Sequence, residues 1–265
     1  MNTLVLKEMF TPNADVGGKV TKMIVFFQIC MFILIWLTCS SPIIPNPIEI
    51  MKSFIDQWMN EGLASDMIVS FTLNLESLAI STIISLGLAY LTVLPFFRPI
   101  AVFISKLRFA SMAGLVLIFT LATSGGHQLK LSLEVWGITV FFVTNMMSVV
   151  ASVTKAEKDY ARTLRMGEWQ VLWETTILGK FDQAIDAIRQ NAAIGWMMLT
   201  MVEGLARAEG GIGVLLLNSN KHFQNEVIFA IQLSVFMLAL AQDGLIVWIK
   251  GQLCPYVRLA LEGGK

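Results

Sequence analysis

Charge is scarce in this sequence. Only 14% of its 265 residues are Asp, Glu, Lys or Arg, against roughly a quarter in a soluble domain, while 55% are apolar and mean hydropathy is +0.69. Neither sign is in surplus: 19 Lys and Arg balance 19 Asp and Glu. No net field is left to hold nucleic-acid phosphates, and no nucleic-acid partner is expected. The three cysteines are too few for a disulfide framework, and Cys30 and Cys39 sit in an apolar run. The two histidines, His127 and His222, stand apart without neighbouring ligand types, so no metal centre is expected. No Ser/His/Asp or Cys/His set suggests nucleophilic catalysis, and no glycine-rich run ending in Gly-Lys-Ser/Thr suggests a nucleotide site. An apolar content this high excludes disorder. What remains is an all-α integral membrane protein that is not itself an enzyme.

A helix needs roughly 20 mostly apolar residues to cross about 30 Å of hydrocarbon. Six stretches read as crossings: Met23–Cys39, Met67–Leu94, Phe109–Thr123, Leu131–Val153, Ala192–Ala206 and Val227–Ile249. The third and fifth are short. Basic residues are retained on the cytoplasmic side. With the N-terminus inside, fifteen of the 19 Lys and Arg fall on that side, and only Lys52, Lys130, Arg207 and Lys221 fall outside. This pattern divides the chain into a cytoplasmic segment (1–22), a first helix with its external loop (23–66), a core (67–256) and a cytoplasmic tail (257–265). Both termini are expected in the cytoplasm. Pro42 and the Pro45-Asn46-Pro47 run read as an external turn. The first run alternatively reads as a signal segment ending at a lipidated Cys39. Its long apolar core and the large residues before the cysteine disfavour that reading.

The longest charged stretch runs from 154 to 191, between the fourth and fifth crossings. Thr154-Lys155-Ala156-Glu157 forms a capping box, which predicts a helix to about Met166, broken at Gly167. A second short helix is expected over Glu168–Thr175, with Trp169, Leu172 and Trp173 on one face. Gly179 ends it, and Asp182 is expected to cap a third helix leading into the membrane. The segment is either a solvated loop on its own domain or a docking element. Trp and Leu on a surface ridge are the anchors a partner groove takes.

The run Tyr160-Ala161-Arg162-Thr163-Leu164-Arg165-Met166-Gly167-Glu168-Trp169-Gln170-Val171-Leu172 resembles the cytoplasmic "EAA" loop of ABC importer permeases. Trp196, Glu203, the Glu209–Gly213 segment and the run from Leu238 to Trp248 with Asp243 are similar to that family's nitrate/taurine/sulfonate branch. Arg165 stands where the family pattern has glycine, with Gly167 two places later. The resemblance implies a type I importer permease fold in a bacterial inner membrane, with a second copy completing a homodimer. It also implies a P-loop ATPase on the cytoplasmic loop, carrying the ATP and Mg that this chain does not bind, and an external solute-binding protein. Carried over residue by residue, Ala161, Leu164, Gly167, Trp169 and Leu172 form the coupling contact: Ala161 for close approach, Gly167 for the turn, Trp169 and Leu172 for buried area.

A carboxylate at bilayer depth is costly and marks a functional site by default. Glu76, Glu203 and Asp243 fall in the predicted crossings, and Thr72, Asn74, Glu76, Glu203 and Asp243 are the candidate pathway residues. Glu134 is expected near an interface. An acidic pathway suits a cationic or zwitterionic solute. The alternative to the permease is an ion-coupled secondary transporter that uses Glu76 and Asp243 as proton carriers and needs no ATPase.

Overall fold

The computed structural model describes residues 17–38, 45–207 and 210–255. The tail 257–265, most of the segment 1–22, Cys39, Pro42 and Glu209 lie outside the described residues. Among the described residues there is no strand, and the helices are α1 (Gly18–Thr38), α2 (Pro47–Met59), α3 (Leu63–Leu91), α4 (Arg98–Lys106), α5 (Met112–Ala122), α6 (Gly126–Ala151), α7 (Lys155–Thr163), α8 (Glu168–Val171), α9 (Phe181–Ala206), α10 (Ile212–Lys221) and α11 (Asn225–Leu253).

Among the described residues four of these, α1, α3, α6 and α11, are long and apolar enough to cross a membrane; the bent pair formed by Arg98–Phe109 and Met112–Ala122 is either a broken fifth span or a re-entrant loop. The expected count of six apolar crossings is corrected on two points. The third stretch, Phe109–Thr123, is not one helix. The chain bends by 114° ahead of α5, which at 11 residues is about 16 Å long, half the hydrocarbon thickness. The fifth stretch is the C-terminal part of α9, which has the length but also carries Arg189 and Glu203.

Pairings between helices fix their directions. Asn74 on α3 meets Glu134 on α6, while Ala89 clusters with Met146 and Val150, so these two run parallel. On α9, Gln183 lies by Ser152 and Gln190 by Asn145 of α6. Asp186 reaches Lys250 of α11, and Trp196 reaches Gln242. Helix α9 thus runs antiparallel to α3, α6 and α11. Because α3 and α6 are parallel, α4 and α5 must carry the chain back between them, and both pack on α6.

The sequence explains the tight α3–α6 pairing. Ser70, Ser77, Ser81, Ser85 and Ala89 recur along one face of α3 and are all buried, and small residues let helix backbones approach closely. Helix α2 falls in the region expected as an external loop. It begins with a capping contact from Asn46 N–H to Glu49 and packs along α11, where Trp58 Nε1 donates to Ser234 Oγ at 3.0 Å. None of the apolar stretch of α1 is buried.

Candidate functional site

Between the ends of α6 and α9 the capping box at Thr154 forms as expected. Thr154 N–H donates to Glu157 Oε2 at 2.6 Å and Glu157 N–H donates to Thr154 Oγ1 at 3.2 Å. The bond from the Thr154 backbone, and then one that Thr154 Oγ1 donates to Glu157 Oε2 at 3.0 Å, hold the Glu157 carboxyl below its ordinary pKa, with Lys180 adding to the effect. Helix α7 ends at Thr163, earlier than expected, because the turn is made at Arg165 with φ of 61°. Gly167 is not the turn residue; its φ is −68° and it sits ahead of α8, donating to Gln170 Oε1. The left-handed residue is thus the arginine that occupies the glycine position of the resembling motif.

Arg162 fastens the two short helices together. Its guanidinium donates to both carboxylate oxygens of Glu168, at 2.9 and 3.0 Å, and to Asp159 at 2.9 Å. Glu168 is held below its ordinary pKa by those bonds, and Arg162 is raised by its two partners. After α8 the chain widens into a π-helical segment, Leu172–Leu178, closed where Gly179 N–H donates to the Glu174 carbonyl. Asp182 lies in the first turn of α9, and Lys180 takes the cap position expected of it.

This arrangement divides the residues expected to form a coupling contact. Trp169 is 70% exposed and, with Tyr160, Leu164 and Trp173, forms an apolar outer surface. Leu172 is half-buried. Ala161 is only 4% exposed, so the close approach its small side chain allows is to its own chain. Trp173 is exposed beside Trp169 as the spacing predicts, while Tyr160, four residues before Leu164, is the exposed apolar residue that helical spacing would have added.

The pathway candidates fall in three places. Asn74 is fully buried in a chain of side-chain hydrogen bonds through four helices: Trp196 Nε1 donates to Gln242 Oε1 (2.7 Å), Gln242 to Asn74 Oδ1 (3.3 Å), and Asn74 to Glu134 Oε1 (3.3 Å). Gly195 makes room for that amide, since a Cβ there would lie 2.8 Å from Asn74 Nδ2. Glu134 is therefore central and not interfacial. Its second oxygen has no hydrogen-bond partner. Glu203 is also fully buried: it accepts from Ser70 Oγ of α3 (2.6 Å) and from Gly213 N–H (2.8 Å), capping α10. Gly211 (φ 108°) abuts that carboxylate and could carry no side chain there. Lys130, also buried, donates to the Gly210 carbonyl at 2.7 Å and ties α6 to the same turn.

Thr72 and Glu76 are exposed on α3, where Glu76 lies 3.3 Å from His127 Nε2. Asp243 is on another flank, held by Arg189 through bonds to both oxygens. Glu76 and Asp243, the two carriers of the ion-coupled alternative, are thus on separate helices with separate partners. No group of three or more His, Cys, Asp or Glu side chains suited to a metal occurs among the described residues. No protein-family model matches the chain, and no curated protein matches it.

Proposed function

We propose that this chain is the permease subunit of an ATP-binding-cassette importer, moving a small polar solute through a bacterial inner membrane. The observation that carries this reading is the set of exposed side chains Tyr160 on α7, Trp169 on α8, Leu164 between them and Trp173 in the π-helical segment that follows, with Arg162 fastening the two short helices together. Large aromatic side chains on a rigid support are what a partner pocket binds. Arg98, Lys106, Arg108, Lys155, Lys158 and Lys250 flank the apolar helices on the ridge's side in the order of crossings, and basic residues favour the cytoplasmic side, which supports a cytoplasmic ridge.

In this reading a P-loop ATPase seats the ridge in a groove and supplies ATP and Mg. A second copy of the chain forms the other half of the path, and an external binding protein delivers solute. Both chain ends lie in the cytoplasm. Movement of the ATPase pair reaches the bundle at both ends of the loop: through Val153 and Thr154 at the end of α6, and through Lys180 at the start of α9.

The test is gentle extraction of the tagged full-length chain from its native membrane, followed by identification of what stays bound. A P-loop ATPase retained by the wild type and lost with Trp169→Ala plus Leu172→Ala supports the reading. No ATPase in the wild type, with uptake in vesicles that follows a proton gradient, refutes it.

A further inference from the structure

The stretch that joins α3 to α5 is basic with no acidic counterpart. From Ser77 to Leu133 the sequence has no Asp or Glu, while Arg98, Lys106 and Arg108 all fall in or just after α4. Helix α4 packs on α3 and α6, and these carry no carboxylate beyond Glu76 and Glu134 respectively. All three cations are exposed. Among the described residues none of them takes part in an ion pair, whereas Arg162, Lys180, Arg189 and Lys250 each have a carboxylate partner. Arg108 lies 5.0 Å from the centre of the Phe109 ring.

The same segment exposes large apolar side chains. Phe96, Ile100, Phe103 and Phe109 face outward, while Ala101 is buried. The direction of the helix matters as well. Helix α5 doubles back along α6, with Met112 against Gly137 and residues 123–125 joining Ala122 to Gly126. The 114° bend then sets α4 across the bundle and not along it. A helix with that direction, presenting both cations and large apolar groups outward, suits a membrane interface. Its apolar side chains enter the acyl boundary and its basic ones stay at headgroup level.

We infer that α4 and the turn after it bind the phosphate headgroups of anionic phospholipids. An acidic patch on a protein would match the charge but leave Phe96, Phe103 and Phe109 uncovered. A free anion would cover none of them. A lipid supplies both the phosphate for the cations, which Arg can grip through two parallel bonds, and the hydrocarbon for the rings. The inference rests on the membrane-embedded reading of the chain and is independent of whether an ATPase docks at Trp169.

The full chain in a non-ionic detergent tests it, titrated separately with phosphatidylglycerol, phosphatidylcholine of the same acyl chains, and inorganic phosphate. Phosphatidylglycerol should raise the unfolding midpoint at concentrations where the other two do not. Its affinity, read from that rise, should fall about fivefold for each charge removed in Arg98→Gln/Lys106→Gln/Arg108→Gln. The single changes Arg98→Gln and Lys106→Gln carry the same test if the triple chain does not fold. Affinity should be kept in Arg98→Lys/Lys106→Arg/Arg108→Lys, and in Lys52→Gln/Lys221→Gln, which removes charge elsewhere. Equal protection by phosphatidylcholine makes the surface apolar only, and equal protection by inorganic phosphate makes it a free-anion site. Unchanged phosphatidylglycerol affinity in the glutamine chains puts the lipid elsewhere. Each of these three results overturns the proposal. So does a glutamine chain that loses a bound ATPase but keeps its lipid affinity, because the cations then serve a protein partner.

Discussion

Gln242 on α11 donates to Asn74 on α3 across 3.3 Å, and through this bond Trp196 of α9 and Glu134 of α6 join one buried chain. Removing one member strands the others, and a buried polar group without a partner costs about 1–3 kcal/mol. Asn74→Leu is therefore expected to destabilise the detergent-solubilised protein by about that amount. The double change Asn74→Leu, Glu134→Leu should recover part of the loss, because Glu134 is then no longer stranded while Gln242 keeps its bond from Trp196 Nε1. Unfolding midpoints of the two variants decide it; a double variant no better than the single one counts against the chain as a unit.

Glu203 accepts from Gly213 N–H and Ser70 at the start of α10. Loss of a helix cap costs about 0.5–2 kcal/mol. Glu203→Ala should speed hydrogen exchange in 212–216, and Glu203→Gln, which keeps an acceptor oxygen, should do so less. Equal exchange in both variants would show that the carboxylate is not the cap.

At the loop turn, Arg165 and Gly167 exchange the roles their residue types suggest. The left-handed conformation of Arg165 costs an L-residue about 1–2 kcal/mol, more for a β-branched one. Arg165→Val is expected to destabilise the loop by at least about 1 kcal/mol. Gly167→Ala, at φ −68° with no atom closer than 3.9 Å to the new Cβ, should stay within about 0.5 kcal/mol of wild type. Protease cutting within 160–170 measures both; the reverse ranking contradicts the turn assignment.

The same loop responds to acid. Glu157 and Glu168 both have lowered pKa in the folded chain. A carboxyl of that kind stabilises the fold above its unfolded pKa, near 4.3, and the contribution is lost as pH falls through the lower folded value. Hydrogen exchange over 155–170 should be flat between pH 5 and 8, after correction for intrinsic rates, and accelerate below about pH 4. Arg162→Ala should remove the part that belongs to Glu168. Loosening that begins near neutral pH would point to other groups.

Much of the helical plan was legible in the sequence, since it follows from local rules. The capping box at Thr154, the break at Gly179 and the apolar runs of α1, α3, α6 and α11 all depend on neighbours in the chain. Two features are tertiary and were not. The stretch at 109–123 reads as a crossing by apolarity alone, but the 114° bend ahead of Met112 leaves a straight helix of 11 residues, about half the hydrocarbon thickness. Glu134 looks peripheral beside Lys130 near the start of a helix, yet both are buried because α3 and the turn at Gly210 bring partners to them. Among the site residues, spacing found Trp169 and the exposed ridge. It could not show that Ala161 turns inward, nor that Glu203 serves a helix end ten residues further on, because both depend on how distant elements close.

The ridge at Trp169 is proposed to seat in an ATPase. A photo-crosslinking side chain placed at position 169, activated in the native membrane, tests it without extraction. A covalent adduct with a P-loop ATPase is expected, reduced when Tyr160 and Trp173 are replaced by alanine. Adducts with lipid alone, or within the same chain alone, would contradict it.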